Sequence, residues 1–415
     1  MTMNLRRVFL SHASKNLKEV LRLDCHLRRH GVPLWRDRVD LPKGVATEDE
    51  IRRAGEEAIG FTFYLTEAAA ESDWVRQKEL GHAIRNAGLD HSFGMVPVFR
   101  DDKDIVVDKM TALAKPGDPR YDLRKNNGHI IRCADDLELE RELAVAASVV
   151  LRSTVRTLRK HAVSGSRLRI GAVTRGTKPW TTIGLDLVID WSHLYPPVEG
   201  RLPNPGVGAT QLLPPLTSLA DALGHDWGDT RLQVVPHCHP SLALAMGFAF
   251  RRGSGYDLEV FDHMTGERLS GPARPVAPEA GLWKEEILER TKGGRDLMLC
   301  IGVSREVVAE ANKVADSLGL DVGPILNLTP PGGCSNAAIA SGVPLLQHRL
   351  AVAAVQRVVE LQATAGVGTI HLFIAVPGTL AVLLGQQLTN VGTVQVYDFD
   401  NDAKRYVPVL ALCHK

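Results

Sequence analysis

The sequence predicts an α/β protein in two parts, each built on a parallel sheet covered by helices. Three observations predict it. Residues 1–140 alternate short apolar runs with helical segments, and strands separated by helices lie parallel. Residues 137–163, "LELERELAVAASVVLRSTVRTLRKHAV", keep a helical periodicity and end on basic residues, as a helix joining two domains would. From about residue 165 prolines and glycines cluster ("YPPVEGRLPNPGVG", "LLPPL", "TPPGG") and charge thins out. The expected division is 1–136, a linking helix 137–164, and 165–415; a chain of 415 residues also exceeds one ordinary core.

In order along the chain, "RRVFLS" reads as the first strand and "NLKEVLRLDCHLRRHG" as a helix closed by Gly31. "VPLWRD", "GFTFYLT", "GMVPVFR" and "GHIIRC" follow as strands two to five. The C-terminal half holds a repeat. "SLALAMGFAFRRGSGYDLEVFD" (Ser241 to Asp262) resembles "TLAVLLGQQLTNVGTVQVYDFD" (Thr379 to Asp400). Each copy is a small-residue-rich helix with a glycine (Gly247, Gly385), a polar turn and an alternating strand. Two such copies predict a pseudo-dimeric α/β domain whose halves face each other.

Lys plus Arg (49) balance Asp plus Glu (48) to a formal charge of +1, so no global basic field favours long nucleic acid. The six cysteines (Cys25, Cys133, Cys238, Cys300, Cys334, Cys413) stand singly and read as reduced, packed thiols. No apolar run reaches the ~18–20 residues that a bilayer span needs. The start "MTMNLRRVFLSHAS" lacks a signal-peptide core. A soluble cytoplasmic protein is expected.

Three stretches of the N-terminal part could carry chemistry. Ligands of parallel sheets bind beyond the carboxyl ends of strands, where "VFLSHASKN" puts Ser11, His12 and Ala13; plain helix capping by Ser14 explains the loop as well. "PLWRDRVDLPKG" leaves its strand through Trp35 and Asp37 into a loop with Leu41 and Gly44, a mobile flap or a surface turn. "ESDWVRQKEL" sets Trp74 and Glu79 beside a strand end, suiting a stacked heterocycle and a developing positive charge. The plain alternative for Glu79 is a solvated helix charge.

Together, "RVFLSHASKN", "HGVPLWRDRVDLPKG" and "IGFTFYLTEAAAESDWVRQKEL" resemble a Toll/interleukin-1 receptor (TIR) domain over about residues 5–135. The order and spacing of the three blocks are those of that family. The resemblance implies a flavodoxin-like parallel sheet. It also implies, as in bacterial and plant members, cleavage of the nicotinamide–ribose bond of NAD⁺ as substrate. On that reading Glu79 is the catalytic carboxylate and Trp74 walls the pocket. Ser11, His12, Ala13, Trp35, Asp37, Leu41 and Gly44 line the cofactor cleft, with no metal expected. One departure stands out. The family sets its acid four residues after the tryptophan, and here Glu79 is five after Trp74 with Lys78 in the family position. On an α-helix four steps return to within ~40° of the start, and five leave a side chain ~140° away. The expectation is a helix that starts late or bends, so that Glu79 rather than Lys78 faces the cleft with Ser11 and His12.

The second half resembles the SAVED domain, a cyclic-oligonucleotide sensor made of two fused CARF-like Rossmann units, through "HLFIAVPGTLAVLLGQQL" and "VQVYDFD…RYVP". A ring of phosphodiesters needs N–H donors from loops at helix starts. Candidates are Pro377, Gly378 and Thr379; Gly332, Gly333, Ser335 and Asn336; and His239 and Ser241. Arg175 and Lys178 could add charge, and Trp180 a stacking face. For each loop a plain turn or cap is the ordinary alternative. His237 and His239 around Cys238 lack the partners of a zinc site.

The resemblances imply an antiphage effector that hydrolyses NAD⁺ when a cyclic oligonucleotide, cyclic tri-adenylate above all, binds the sensor and drives head-to-tail assembly into oligomers or filaments. The alternative is a non-catalytic scaffold that senses a nucleotide and recruits a protein through the TIR domain.

Overall fold

The structure, a computed structural model, describes residues 7–36, 47–91, 93–114, 118–174, 184–195, 202–203, 206–262, 265–270, 281–335 and 346–413. The chain forms two compact units. The first takes Met1–Ser166, Thr182–Asp190 and Ser218–Asp229, and the second takes Arg167–Thr181, Trp191–Thr217 and Thr230–Lys415. Among the described residues no helix is long and apolar enough to cross a membrane.

In the first unit, β1 (Val8–His12), β2 (Leu34–Trp35), β3 (Gly60–Leu65), β4 (Gly94–Phe99) and β5 (His129–Ile130) form one sheet in the order β2-β1-β3-β4-β5. Every pairing in it is parallel. This is the flavodoxin-like order, whose direction of winding reverses between β1 and β3, the place where such sheets bind ligands. All six residues of β3 are buried, as a strand covered on both faces requires. The helices are α1 (Leu17–Arg29), α2 (Thr47–Glu57), α3 (Glu67–Glu71), α4 (Leu80–Leu89), α5 (Lys103–Ala114) and α6 (Asp136–His161).

Helix α6 opens on an Asp135 N-cap, with Glu138 reaching back past it. Asp135 accepts from the Glu138 N–H at 2.8 Å, and Glu138 accepts from the Ala134 N–H at 2.7 Å. Its apolar stripe, including Leu139, Leu143, Ala146, Val150 and Leu151, is buried. Glu140 binds Arg22 (2.6 Å) and His26 (2.7 Å) of α1. The helix expected to join two domains is therefore a packed member of the first unit, because its apolar face needs a partner along most of its length.

The second unit carries α7 (Leu213–Ala222) in part, α8 (Pro240–Ala249), α9 (Val308–Leu318), α10 (Leu346–Ala365) and α11 (Gly378–Gln387). In one of its sheets β6 (Leu168–Val173), β8 (Arg231–His237) and β9 (Asp257–Phe261) run parallel, and β10 (Arg268–Ser270) closes antiparallel on β9. β7 (Leu187–Asp190) falls in the first unit. The other sheet has the order β11-β13-β12-β14-β15-β16. Its inner strands β13 (Val322–Thr329), β12 (Asp296–Gly302), β14 (Ile370–Ala375) and β15 (Val394–Asp400) are parallel, while β11 (Lys284–Glu289) and β16 (Arg405–Leu412) are antiparallel edges.

The repeat legible in the sequence is a repeat in space. β8-α8-β9 matches β14-α11-β15, and the two helices cross at their glycines. A Cβ on Gly247 would stand 1.9 Å from the Val382 carbonyl oxygen, and one on Gly385 would stand 2.0 Å from the Leu244 oxygen. Val382 is three residues before Gly385, and Leu244 three before Gly247, so the contact is reciprocal. Only glycine lets two helix backbones approach this closely, and the pairing supplies the pseudo-two-fold relation of the halves.

Candidate functional site

Glu79 sits at the end of a π-helical turn, Trp74–Glu79, that runs directly into α4. The Leu80 N–H donates to the Val75 carbonyl, an i→i+5 bond. A π-turn inserts one residue into an α-helix, so a side chain five positions on returns to nearly the same face. The extra residue between Trp74 and Glu79 is absorbed there. Nearby capping holds the turn: Ser72 accepts from the Val75 N–H (3.4 Å), and buried Arg76 donates to the Ala70 carbonyl (2.9 Å) while pairing with Asp73. The expectation of a bent helix is met by this specific device.

Glu79 is 6% exposed. It accepts a hydrogen bond from Ser11 Oγ, at the carboxyl end of β1, at 2.5 Å. The carboxylate borders a cleft of about 180 Å³ whose other walls include Phe9 and Phe61 of adjacent strands, Trp74, and Ile51 and Arg52 of α2. Phe9 stacks on Phe61 at 4.7 Å, giving a flat aromatic base. Lys78 is not turned away, as the sequence suggested; it borders the same cleft, with its ammonium 4.7 Å from the centre of the Trp74 ring and paired with Glu48.

Of the other residues proposed from sequence, Ser11 is buried and reaches the cleft through Glu79, and His12 is half-buried at the end of β1. Ala13 is buried in the apolar core, and so is Trp35, which stacks on Phe9 at 4.8 Å. Asp37, Leu41 and Gly44 lie outside the described residues. Sequence reasoning missed His82, which borders the cleft one helical turn beyond Glu79. The Glu79-x-x-His82 spacing on one helix face was the available signal. Burial and the neighbouring Arg85 lower the His82 pKa, and Arg85 Nη2 donates to His82 Nδ1 at 2.7 Å. The neutral ring thus carries its proton on Nε2.

In the second unit the sensor candidates divide by exposure. Gly332, Gly333 and Ser335 are exposed after β13, where Gly333 turns at φ +86° with its N–H on Pro330 (2.9 Å). The Ser335 N–H bonds to Val303 after β12 (2.8 Å). Pro377 is the N-cap of α11, after β14, and Gly378 opens that helix beside Pro236 of β8, with a built Cβ at 3.6 Å. These positions gather at the carboxyl ends of parallel strands. His239, Ser241 and Thr379 lie in the same region but are buried, with side chains engaged inside the protein. His239 stacks on Tyr195 (4.5 Å) and bonds the Thr174 hydroxyl (2.9 Å). Ser241 donates through its hydroxyl to Asp398, and Thr379 to Gln347 (2.7 Å). Arg175, Lys178, Trp180 and Asn336 lie outside the described residues. His371, from the motif that carried the SAVED resemblance, bonds Tyr397 (3.0 Å) and Asp296 (3.2 Å) in the sheet interior, away from these loops. Among the described residues no group of three His, Cys, Asp or Glu side chains could hold a metal ion.

Comparison with known proteins agrees with both halves. Residues 8–128 match the TIR domain family, and residues 216–412 match the family described as "SMODS-associated and fused to various effectors sensor domain", SAVED. CD-NTase-associated protein 4 of Enterobacter hormaechei subsp. hoffmannii (strain UCI 50) is 24% identical over 216 residues, which is 51% of this chain and 42% of that protein. The matched region is thus under half of that relative's length. Among solved structures, the Acinetobacter baumannii Cap4 SAVED/CARF-domain containing receptor with the cyclic trinucleotide 3'3'3'-cAAA has a TM-score of 0.48 at 15% identity, covering 89% of this chain and 86% of that one. The Moraxella osloensis Cap4 receptor has a TM-score of 0.40 at 15% identity, covering 99% and 87%. With three blocks of one family in register and a duplicated unit of the other, the chain is a TIR domain fused to a SAVED sensor domain.

Proposed function

We propose that this protein is an antiphage effector that hydrolyses the nicotinamide–ribose bond of NAD⁺ when a cyclic oligonucleotide binds its SAVED domain. The observation that carries the reading is Glu79: a buried carboxylate, positioned by Ser11, in an aromatic-walled cleft on the two strands where the sheet reverses. Nicotinamide in NAD⁺ is a cationic leaving group and needs no proton from an acid. As the C1′–N bond breaks, its electron pair neutralises the pyridinium and positive charge develops on the ribose. The Glu79 carboxylate stabilises that charge. Water adds to C1′ and its proton is taken up by Glu79 or solvent. The products are nicotinamide and ADP-ribose.

Two features support gating. The cleft of about 180 Å³ is smaller than the ~300–1,000 Å³ of ordinary ligand pockets, so it takes the nicotinamide riboside end and leaves the rest to be enclosed by something else. A neighbouring TIR domain, docked head to tail, would supply that wall, and a contact of this kind propagates into filaments. In addition, the Lys78 ammonium lies over the ring on which nicotinamide would stack. The activator proposed is cyclic tri-adenylate, held at the Gly332–Gly333 and Pro377–Gly378 loops through the Gly332 and Gly378 N–H groups, with Arg175, Lys178 and Trp180. Its preference for the assembled state would drive the change.

The placement of Lys78 also favours a second reading, a nucleotide-sensing scaffold whose TIR cleft stays closed to NAD⁺. One experiment separates the two. The protein is incubated with NAD⁺ and a panel of cyclic oligonucleotides, and free nicotinamide and particle size are followed together. Release that requires the ligand and rises with particle size supports the enzyme; assembly without release supports the scaffold.

A further inference from the structure

We propose a second small-molecule site in the first unit, for a ligand bearing a diphosphate group, in the cleft walled by Arg152, Arg156 and Lys160 of α6. The cleft has a volume of about 340 Å³, within the usual range for a ligand pocket, and lies at the amino ends of β4 and β5. That is the sheet edge opposite the carboxyl end of β1, where Ser11 meets Glu79. The three cations stand four residues apart, on one face of the helix. No carboxylate borders the cleft among its described lining residues, which also include the Asn126 and Asn127 amides.

Asp226 orients two of the cations. Its carboxylate accepts from Arg152 Nε (2.6 Å) and from Arg156 Nε (2.8 Å), while Arg159 bonds its carbonyl oxygen (3.3 Å). Burial opposes ionisation of Asp226, but the two arginines hold its pKa below the ordinary value, so it remains a fixed anchor. Each guanidinium is gripped through Nε, and its terminal nitrogens make no other hydrogen bond among the described residues. Two pre-aimed forks and an ammonium outnumber the carboxylates that act on them, Asp226 and, on Arg152, Asp221, so the concave site keeps an excess of positive charge. Guanidinium forks match phosphate oxygens in pairs, and a diphosphate provides enough oxygens to engage both and Lys160 at once. Phe93 supplies an apolar wall for the organic part of such a ligand.

The test is titration calorimetry on the full-length protein with inorganic pyrophosphate and with ADP. Wild type should bind one equivalent more tightly than inorganic phosphate, with affinity falling as salt is raised. Arg156→Gln and Lys160→Gln should each weaken binding about tenfold, while Glu79→Gln leaves it unchanged. Lys160→Gln keeps the test valid if loss of the Asp226 pair destabilises the first variant. The proposal is overturned by no one-to-one binding, by binding that survives both substitutions, or by tight binding of duplex DNA through these residues without any of pyrophosphate.

Discussion

Ser11 Oγ donates to Glu79 Oε2 across 2.5 Å, tying the carboxyl end of the first strand to the last residue of a π-turn 68 positions later. The bond fixes the rotamer of a carboxylate that burial would otherwise disfavour, and aims it into an aromatic cleft. Glu79→Gln keeps the shape and removes the charge. Ligand-stimulated nicotinamide release should fall at least about 100-fold with little change in melting temperature. Ser11→Ala, which only frees the carboxylate, should cost about tenfold. Unaltered release by Glu79→Gln would remove the catalytic assignment.

The π-turn makes a register prediction. Deleting exposed Gln77 restores four-residue spacing between tryptophan and glutamate, which an ordinary α-turn can present to the same cleft, so activity should largely persist. Inserting an alanine after Gln77 rotates the carboxylate away, and nicotinamide release should drop about 100-fold. Equal effects of the two changes would show that helix register is not what positions Glu79.

Lys78 occupies the face of Trp74 and pairs with Glu48. An ammonium there repels a cationic nicotinamide ring. Lys78→Gln should therefore raise the rate without activator severalfold and lower KM for NAD⁺, because surface charge contacts of this kind are worth about 1 kcal/mol. A rate that falls on substitution would instead make Lys78 part of the working site.

Gly247 and Gly385 each press on the other helix's backbone. Alanine at either position must push the helices apart, and about 3 kcal/mol of stability should be lost despite alanine's better helix propensity. Because both substitutions spoil one contact, the double variant should cost less than the sum. Urea midpoints of the four proteins form the cycle. Binding of cyclic oligonucleotide should weaken in parallel, since the sensor loops flank these helices.

His30 is buried, with its ring Nδ1 on the His26 carbonyl at 2.7 Å. Burial pulls its pKa from 6.5 down to about 4, and the bond to the His26 carbonyl opposes this only in part. The unfolded chain thus binds a proton near pH 6.5 that the folded protein refuses until about pH 4. Stability is complete above pH 6.5 and falls as the pH drops through this window, by about 3 kcal/mol at the lower end. His30→Gln should flatten the dependence of the urea midpoint between pH 6.5 and 4. A profile unchanged by the substitution would place the acid sensitivity elsewhere.

The two α/β halves, the five strands of the first sheet and the paired glycines of the second unit were all readable as residue pattern. Strand alternation and small-residue helices are local properties. The blocks around Ser11, Trp74 and Glu79 were readable as well, down to the spacing anomaly. Its resolution was not, because an α-turn and a π-turn differ by a single backbone bond whose choice depends on Arg76, Ser72 and the packing of α4. The sensor residues were less legible. Ser241 and Thr379 stand at helix starts, as a phosphate-binding loop would, yet their hydroxyls are engaged by Asp398 and Gln347 from distant segments. Likewise, α6 looked like a connector because its amphipathic stripe does not name its partner, and Glu140 meets Arg22 across 118 positions of chain.

Residue order alone therefore established the fold class, the duplicated sensor and the identity of the carboxylate worth testing, since these follow from periodicity and from motifs in register. Which face Glu79 points to, that Lys78 shares its cleft, and that three arginines of α6 converge on Asp226 arose from long-range packing. Those contacts join segments far apart in the chain, and their energies depend on burial and distance rather than on neighbours in sequence.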